Sequence, residues 1–209
     1  MAEFWNSDVT NASWERLLLL NKEIKFMLIG GWAVYLYTKL QKSKDIDIVV
    51  DYETLRYLGK NYALNKNDRL RKYEIKLDKF DIDVYLPRYS KLSIQPSDLL
   101  SRFSDSMEGI CVPRSDALMT LKLGALNARA DSLKGWKDKV DVIGLLFYSG
   151  VDVMQLRSTL VECGHQEWMK YLLDTLEHFD KRLIKYLNTN EKEFADKRSE
   201  ISAAIKKTL

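Results

Sequence analysis

The sequence predicts an α+β fold: a small mixed β-sheet with flanking helices, followed by a C-terminal helical bundle. Three observations lead there. Up to Pro113, short β-like runs alternate with helix-like segments. Two of those runs, "DIDIVVD" and "FDIDVYL", alternate acidic and apolar residues with the period of two that a half-buried strand requires. Beyond Pro113, helical periodicity dominates to the end. The change of character divides the chain into an α/β unit, 1–113, and a helical unit, 114–209.

The elements follow in order. "SWERLLLLNKE", from Ser13 to Glu23, reads as a helix, and "KFMLI" as a short buried strand. Gly30-Gly31 breaks that strand, and "WAVYLYTKLQ" resumes as a helix whose Trp32 suits a core position. In "DIDIVVD", Asp45 and Asp47 share one face while Ile46 and Ile48 point into the core. "ETLRYLGKNY" reads as a helix. "KYEIKL" and "FDIDVYL" flank Asp78-Lys79 as a hairpin, with Phe80, Ile82, Val84 and Leu86 on the core face and Asp81 and Asp83 opposite. "PSDLLSRF" opens a helix with Pro96 early, and "GICVP" makes a last short strand. Ser115 can cap a helix running to about Ala130, and Asp131 or Ser132 the next, which stops before Gly150. Further helices fall at 152–162, 165–187 and 191–207, the last a solvated one.

Composition narrows the functional classes. The chain has 209 residues, 46% apolar and 30% charged, which describes a globular protein with a real core. Its 33 basic and 30 acidic side chains leave +3, too little to argue for nucleic-acid binding by itself. Cys111 and Cys163 are far apart and form no CxxC pair, and His165 and His178 are the only histidines, so zinc and Ser-His-Asp chemistry are disfavoured. No apolar run approaches the ~20 residues of a membrane span, and the first ten residues have no signal-peptide pattern. The expected location is cytoplasmic, with no membrane partner.

Two carboxylates on one strand face repel unless a cation or a proton sits between them. If the strands of Asp45-Asp47 and of Asp81-Asp83 are neighbours, three or four carboxylates converge. Such hard oxygen ligands suit Mg²⁺ or Mn²⁺, and two such ions can clamp the attacking and leaving oxygens of a phosphoryl transfer. A strand, Gly30-Gly31 and a helix start let backbone N–H groups approach a phosphate, and Ser43 offers a hydroxyl at the same edge. Singly, a glycine pair is most often a turn and an Asp-x-Asp strand a solvated face; their order and spacing together are more specific.

Gly30-Gly31, a helix, Asp45-Ile46-Asp47 within "SKDIDI", and Asp83 in "IDVYLP" resemble the nucleotidyltransferase superfamily of the polymerase β type, and within it the minimal and AbiEii-like branches. The resemblance spans roughly residues 24–146. Asp81 competes with Asp83 for the third carboxylate. The resemblance implies an NTP substrate held by Gly30, Gly31 and Ser43, with Asp45, Asp47 and Asp83 as catalytic metal ligands. It places Lys122 near the triphosphate and Lys137, Asp138 and Asp141 at the cleft wall. Lys122 and Arg129 share a helical face, as do Asp138 and Asp141, although solvated helices with ordinary charge pairs would look the same. The implied acceptors are RNA such as a tRNA 3′ end, a protein, or a small hydroxylated molecule of the antibiotic type. Toxin components of toxin–antitoxin systems occur among these relatives, so a cognate antitoxin is an implied partner. The rival readings are a non-catalytic NTP-binding or interaction subunit and a DNA-binding helical protein.

Overall fold

The computed structural model describes residues 3–130 and 132–209. Helix α1 (Ser7–Glu23) begins six residues before the expected start, because the Asn6 side chain accepts the Asp8 N–H and nucleates an extra turn. It leads into strand β1 (Met27–Ile29) and helix α2 (Gly30–Thr38). Strand β2 (Ile46–Val49) carries Asp47. Helix α3 (Tyr52–Asn61) is capped by Asp51, which accepts the Thr54 N–H at 2.7 Å. Strands β3 (Leu64–Asn67), β4 (Lys72–Lys76) and β5 (Asp81–Tyr85) complete a five-stranded sheet of order β1-β2-β5-β4-β3. The expected hairpin is β4–β5, closed by Leu77 N–H donating to Phe80 O at 3.1 Å. β2 and β5 are parallel and the other neighbours antiparallel, so the sheet is mixed.

Helix α4 (Pro96–Arg102) is followed by a two-stranded ribbon of β6 (Ser104–Met107) and β7 (Ile110–Pro113). β7 is the expected strand; β3 and β6 are not foreseen by the sequence. Their segments, "LNKN" and "SDSM", lack apolar alternation and exist as strands through pairing alone.

Helices α5 (Ser115–Arg129), α6 (Leu133–Tyr148), α7 (Val153–Glu162), α8 (Trp168–Glu177) and α9 (Glu191–Lys206) follow, with a 3₁₀ turn at Lys181–Tyr186. Two expectations are corrected here, at Ser115 and over 165–187, and one is met, at Ser132. Ser115 is the first helical residue of α5 rather than its cap; the cap position is Arg114, without a side-chain bond. Ser132 caps α6 through the Gly135 N–H at 3.0 Å, while Asp131 lies outside the described residues. The helix expected over 165–187 is broken, because the Asp180 carboxylate accepts the Arg182 N–H and starts the 3₁₀ turn. Gly150, at φ 68°, ends the segment after α6 as expected. α9 is not solvated all round: Phe194 and Ile205 are buried.

The core explains the placement of the acidic face. Ile46, Ile48, Ile75, Ile82 and Val84 occupy one side of the sheet, packed with Trp32 of α2 and Leu17 and Leu20 of α1. The Trp32 indole N–H donates to Ser13 Oγ at 2.9 Å, so its one polar atom is satisfied. That cluster continues through Leu118, Leu123, Val140 and Ile143 to Ile205, across Pro113. On the other side, Met27, Ile29 and Val49 pack under Ile94, Leu99, Phe103 and Ala117. This second cluster covers one end of the face, and the aspartates occupy the other.

Candidate active site

A cavity of about 470 Å³ lies over the acidic end of the sheet, within the size range of small-molecule sites. Its floor is Asp45, Asp47 and Asp83. Register does the placing: Asp47 stands directly opposite Asp83 across the parallel β2–β5 pair, and Glu74 opposite Asp83 across β4–β5. Asp81 does not line the cavity; its backbone N–H donates to Asp45 Oδ1 at 3.2 Å and its strand partner is Lys76. Between the two candidates for third carboxylate, Asp83 is the one facing Asp47.

The glycine pair forms the adjoining wall. Gly30 has φ 69°, a left-handed conformation that favours glycine. A Cβ there would overlap the Asp47 carboxylate, whose Cγ would lie 2.7 Å away. A Cβ on Gly31 would lie 2.5 Å from Ser43 Oγ and 3.3 Å from Lys137 Nζ. The missing side chains thus let Asp47, Ser43 and Lys137 crowd around the start of α2.

The facing wall comes from α5 and α6 and carries Lys122, Arg129, Lys137 and Asp138. Lys122 Nζ lies 2.7 Å from Asp141 Oδ2 and 3.2 Å from Asp138 Oδ1. Arg129 Nε lies 2.7 Å from Asp138 Oδ2, and Lys137 Nζ 2.9 Å from Asp141 Oδ1. Except for half-exposed Arg129, these groups are buried. Solvated helices with ordinary charge pairs therefore do not describe them: three cations share two buried carboxylates, leaving one positive charge toward the cavity. Asp141 reaches the site only through the two lysines.

Burial works against every charge here, and its neighbours decide the outcome. Burial would lower Lys122, but Asp141 and Asp138 outweigh it and hold the ammonium above its usual range. For Lys137 burial wins over Asp141 and the pKa falls. Burial would raise Asp138, but Lys122 and Arg129 bring it below the carboxylate range. Asp47 is pushed up to about 7, first by burial and then by Asp83, against the pull of Lys122. Asp83 is raised by burial, with Lys72 opposing. Burial and then Asp47 push the Tyr85 phenol upward, and its hydroxyl donates to Asp47 Oδ1 at 3.4 Å.

The residues fit a cation in chemistry and placement: two carboxylates face each other, and Asp83 Oδ1 is buried without a hydrogen-bond partner. They are not converged into a cage. Among the described residues no three His, Cys, Asp or Glu side chains stand ready to hold a metal ion. Asp83 Oδ2 is held by Lys72 at 2.6 Å, and Asp45 Oδ2 lies 3.8 Å from Lys134.

Every residue expected at the site on the sequence pattern except Asp81 and Asp141 lines this cavity. Lys44, Lys72, Tyr85, Lys91 and Lys134 were missed. Two of these had signals. The hairpin centred on Asp78-Lys79 puts Lys72 on the face of Glu74 and Asp83, and Lys134 precedes Lys137 by three on one helix. Trp136 is 45% exposed and carries the Arg182 guanidinium over its ring. Trp168 is partly buried and stacks on His165. Cys111 and Cys163 are free thiols. Among the described residues, no helix is long and apolar enough to cross a membrane.

No protein-family model matches the chain, and no curated protein matches it. Among solved structures it is similar to JHP933 from Helicobacter pylori, with a TM-score of 0.50 and 16% identity over 98% of this chain and 94% of that one. An antigenic nucleotidyltransferase-like protein from Paracoccidioides brasiliensis gives a TM-score of 0.41 and 16% identity, over 81% of this chain and 94% of that one. The second likeness is too loose to argue from. The first, at its low identity, establishes a shared α+β fold over nearly the whole chain and nothing finer.

Proposed function

We propose that the chain is a nucleotidyltransferase, moving an NMP group from an NTP to an acceptor hydroxyl. The observation that carries this reading is Asp47 facing Asp83 beneath the Gly30-Gly31 turn, across a cavity from a buried cationic wall. Asp45, Asp47 and Asp83 would hold Mg²⁺ or Mn²⁺, which supplies charge neutralisation at the phosphates. Backbone N–H groups at Gly30 and Gly31 and the Ser43 hydroxyl bind the β- and γ-phosphates. Lys122, Arg129 and Lys137 hold negative charge on the triphosphate, fixed in place by Asp138 and Asp141. Asp83 takes the proton of the acceptor hydroxyl. The acceptor oxygen bonds to the α-phosphorus, the bond to the bridging oxygen breaks, and pyrophosphate leaves.

The acceptor proposed is RNA. Seven Lys and Arg line the cavity against four Asp, an excess that equals the net charge of the whole chain. Trp5 and Leu70 lie among them. Basic side chains interleaved with an aromatic surface suit a single strand better than a small cation.

The test is incubation with α-labelled NTP and Mg²⁺ in the presence of RNA, protein or small hydroxylated amines. Label should enter RNA, and Asp47→Asn or Asp83→Asn should lower the rate by at least about 100-fold with the melting profile kept cooperative. Label in protein or a small molecule but not in RNA overturns the acceptor. Binding of NTP without pyrophosphate release under any condition overturns the transferase reading and leaves a nucleotide-binding subunit.

A further inference from the structure

Lys72 has no part in the proposed reaction, yet its ammonium is the cation in closest contact with the carboxylate floor. It lies 2.6 Å from Asp83 Oδ2 and 3.0 Å from Glu74 Oε1, and its side chain is 11% exposed. Antiparallel register explains the position. Glu74 stands opposite Asp83, and Lys72, two residues earlier on the same face, is their diagonal neighbour. Glu74 is itself fixed by Asn67 Nδ2, which donates to Oε1 at 3.0 Å. Asp83 is divided in its bonding: Oδ2 is taken by Lys72, whereas Oδ1 is buried without a partner.

Two facing carboxylates in a shared, partly desolvated site do not both stay ionised without positive charge beside them. Two ammoniums supply it, from opposite sides. Lys122 is bonded to Asp138 and Asp141 across the cavity. Among the described residues, Lys72 is the ammonium within hydrogen-bonding distance of the floor, Lys134 standing farther off at 3.8 Å from Asp45 Oδ2, and Lys72 has a second carboxylate within reach. A lysine stem is flexible and its head is a point charge, so Nζ can leave Asp83 and remain paired with Glu74.

We propose that Lys72 is a resident counter-ion: it holds Asp83 while the site lacks a divalent cation, and yields Asp83 to that cation by withdrawing onto Glu74. Lys72 is on this account a positioning residue and not a catalytic one. The inference rests on the metal-binding reading of Asp45, Asp47 and Asp83.

The test is Mn²⁺ titration of the full-length chain by calorimetry, with thermal melts in parallel, on the wild type, Lys72→Met and Lys72→Arg. Lys72→Met should melt below the wild type in chelator, bind Mn²⁺ several-fold more tightly, and recover most of its lost melting temperature when saturated. Lys72→Arg keeps the charge and spans Asp83 and Glu74 with a rigid fork, so it should bind Mn²⁺ several-fold more weakly than the wild type. A purely structural Lys72 predicts the opposite sign for Lys72→Met, because a misplaced Asp83 weakens binding. Equal or weaker Mn²⁺ binding by Lys72→Met, with the wild type binding normally, overturns this proposal alone. Should Lys72→Met fail to fold, equal or tighter binding by Lys72→Arg overturns it. Absence of Mn²⁺ binding by all three chains overturns the metal reading together with it.

Discussion

Removing Asp141 should cost more stability than removing any other single carboxylate at the site. Its side chain is 1% exposed, and its two oxygens hold both lysines of the cationic wall: Lys122 at 2.7 Å and Lys137 at 2.9 and 3.0 Å. In Asp141→Asn the shape is kept and the charge is lost. Lys122 then retains Asp138 at 3.2 Å, and Lys137 loses its carboxylate, although its ammonium is buried. Breaking a buried pair from one side costs about 3–5 kcal/mol, because the remaining charge stays desolvated. At about 2–4 °C per kcal/mol for a chain of this size, the melting temperature should fall by roughly 6–20 °C. Urea unfolding with an unchanged slope, beside the thermal melt, checks the figure. Lys137→Met combined with Asp141→Leu removes the orphaned ammonium and should restore most of the loss. A loss below about 1 kcal/mol for Asp141→Asn, the size of an exposed ion pair, would refute the claim that this wall is a buried charge network.

Three further outcomes are expected. Gly30→Ala places a Cβ at φ 69° and against the Asp47 carboxylate, so it should cost at least about 1–2 kcal/mol from the left-handed backbone and displace Asp47, measured as lower stability and lost NMP transfer together. Trp32→Phe strands the buried Ser13 hydroxyl and should cost about 1–3 kcal/mol, read from denaturant midpoints. In chelator, the raised Asp47 carboxyl makes the folded chain bind a proton that the unfolded chain has already released. Its contribution is therefore complete below the unfolded value of 3.8 and is lost as pH rises through about 7. Stability of the wild type should fall across that window more steeply than that of Asp47→Asn, by urea unfolding at successive pH values.

Much of this protein was legible in local sequence. Alternation in "DIDIVVD" and "FDIDVYL" settled that Ile46, Ile48, Ile82 and Val84 go to the core and that the aspartates share the other face, because side-chain direction in a strand depends only on parity. Parity could not choose between Asp81 and Asp83, which point the same way. The parallel pairing of β2 with β5 chose, setting Asp47 against Asp83, and that register is a property of two segments packed between shared helices rather than of either one. The same distinction governs the rest of the site. Helical spacing put Lys122 with Arg129, and Asp138 with Asp141, on common faces. Only the packing of α5 against α6 joined the two faces into one buried network and turned it toward Gly30-Gly31. Lys72 shows the limit most clearly. Hairpin parity places it on the face of Glu74 and Asp83, but "RKYEIK" otherwise reads as an ordinary charged strand, and only the folded hairpin brings its ammonium to 2.6 Å from Asp83. Periodicity is written into neighbouring residues and reports which face a side chain takes. Which faces meet is decided by long-range burial, and so the sequence determined the direction of the carboxylates while the tertiary structure decided which charges they meet.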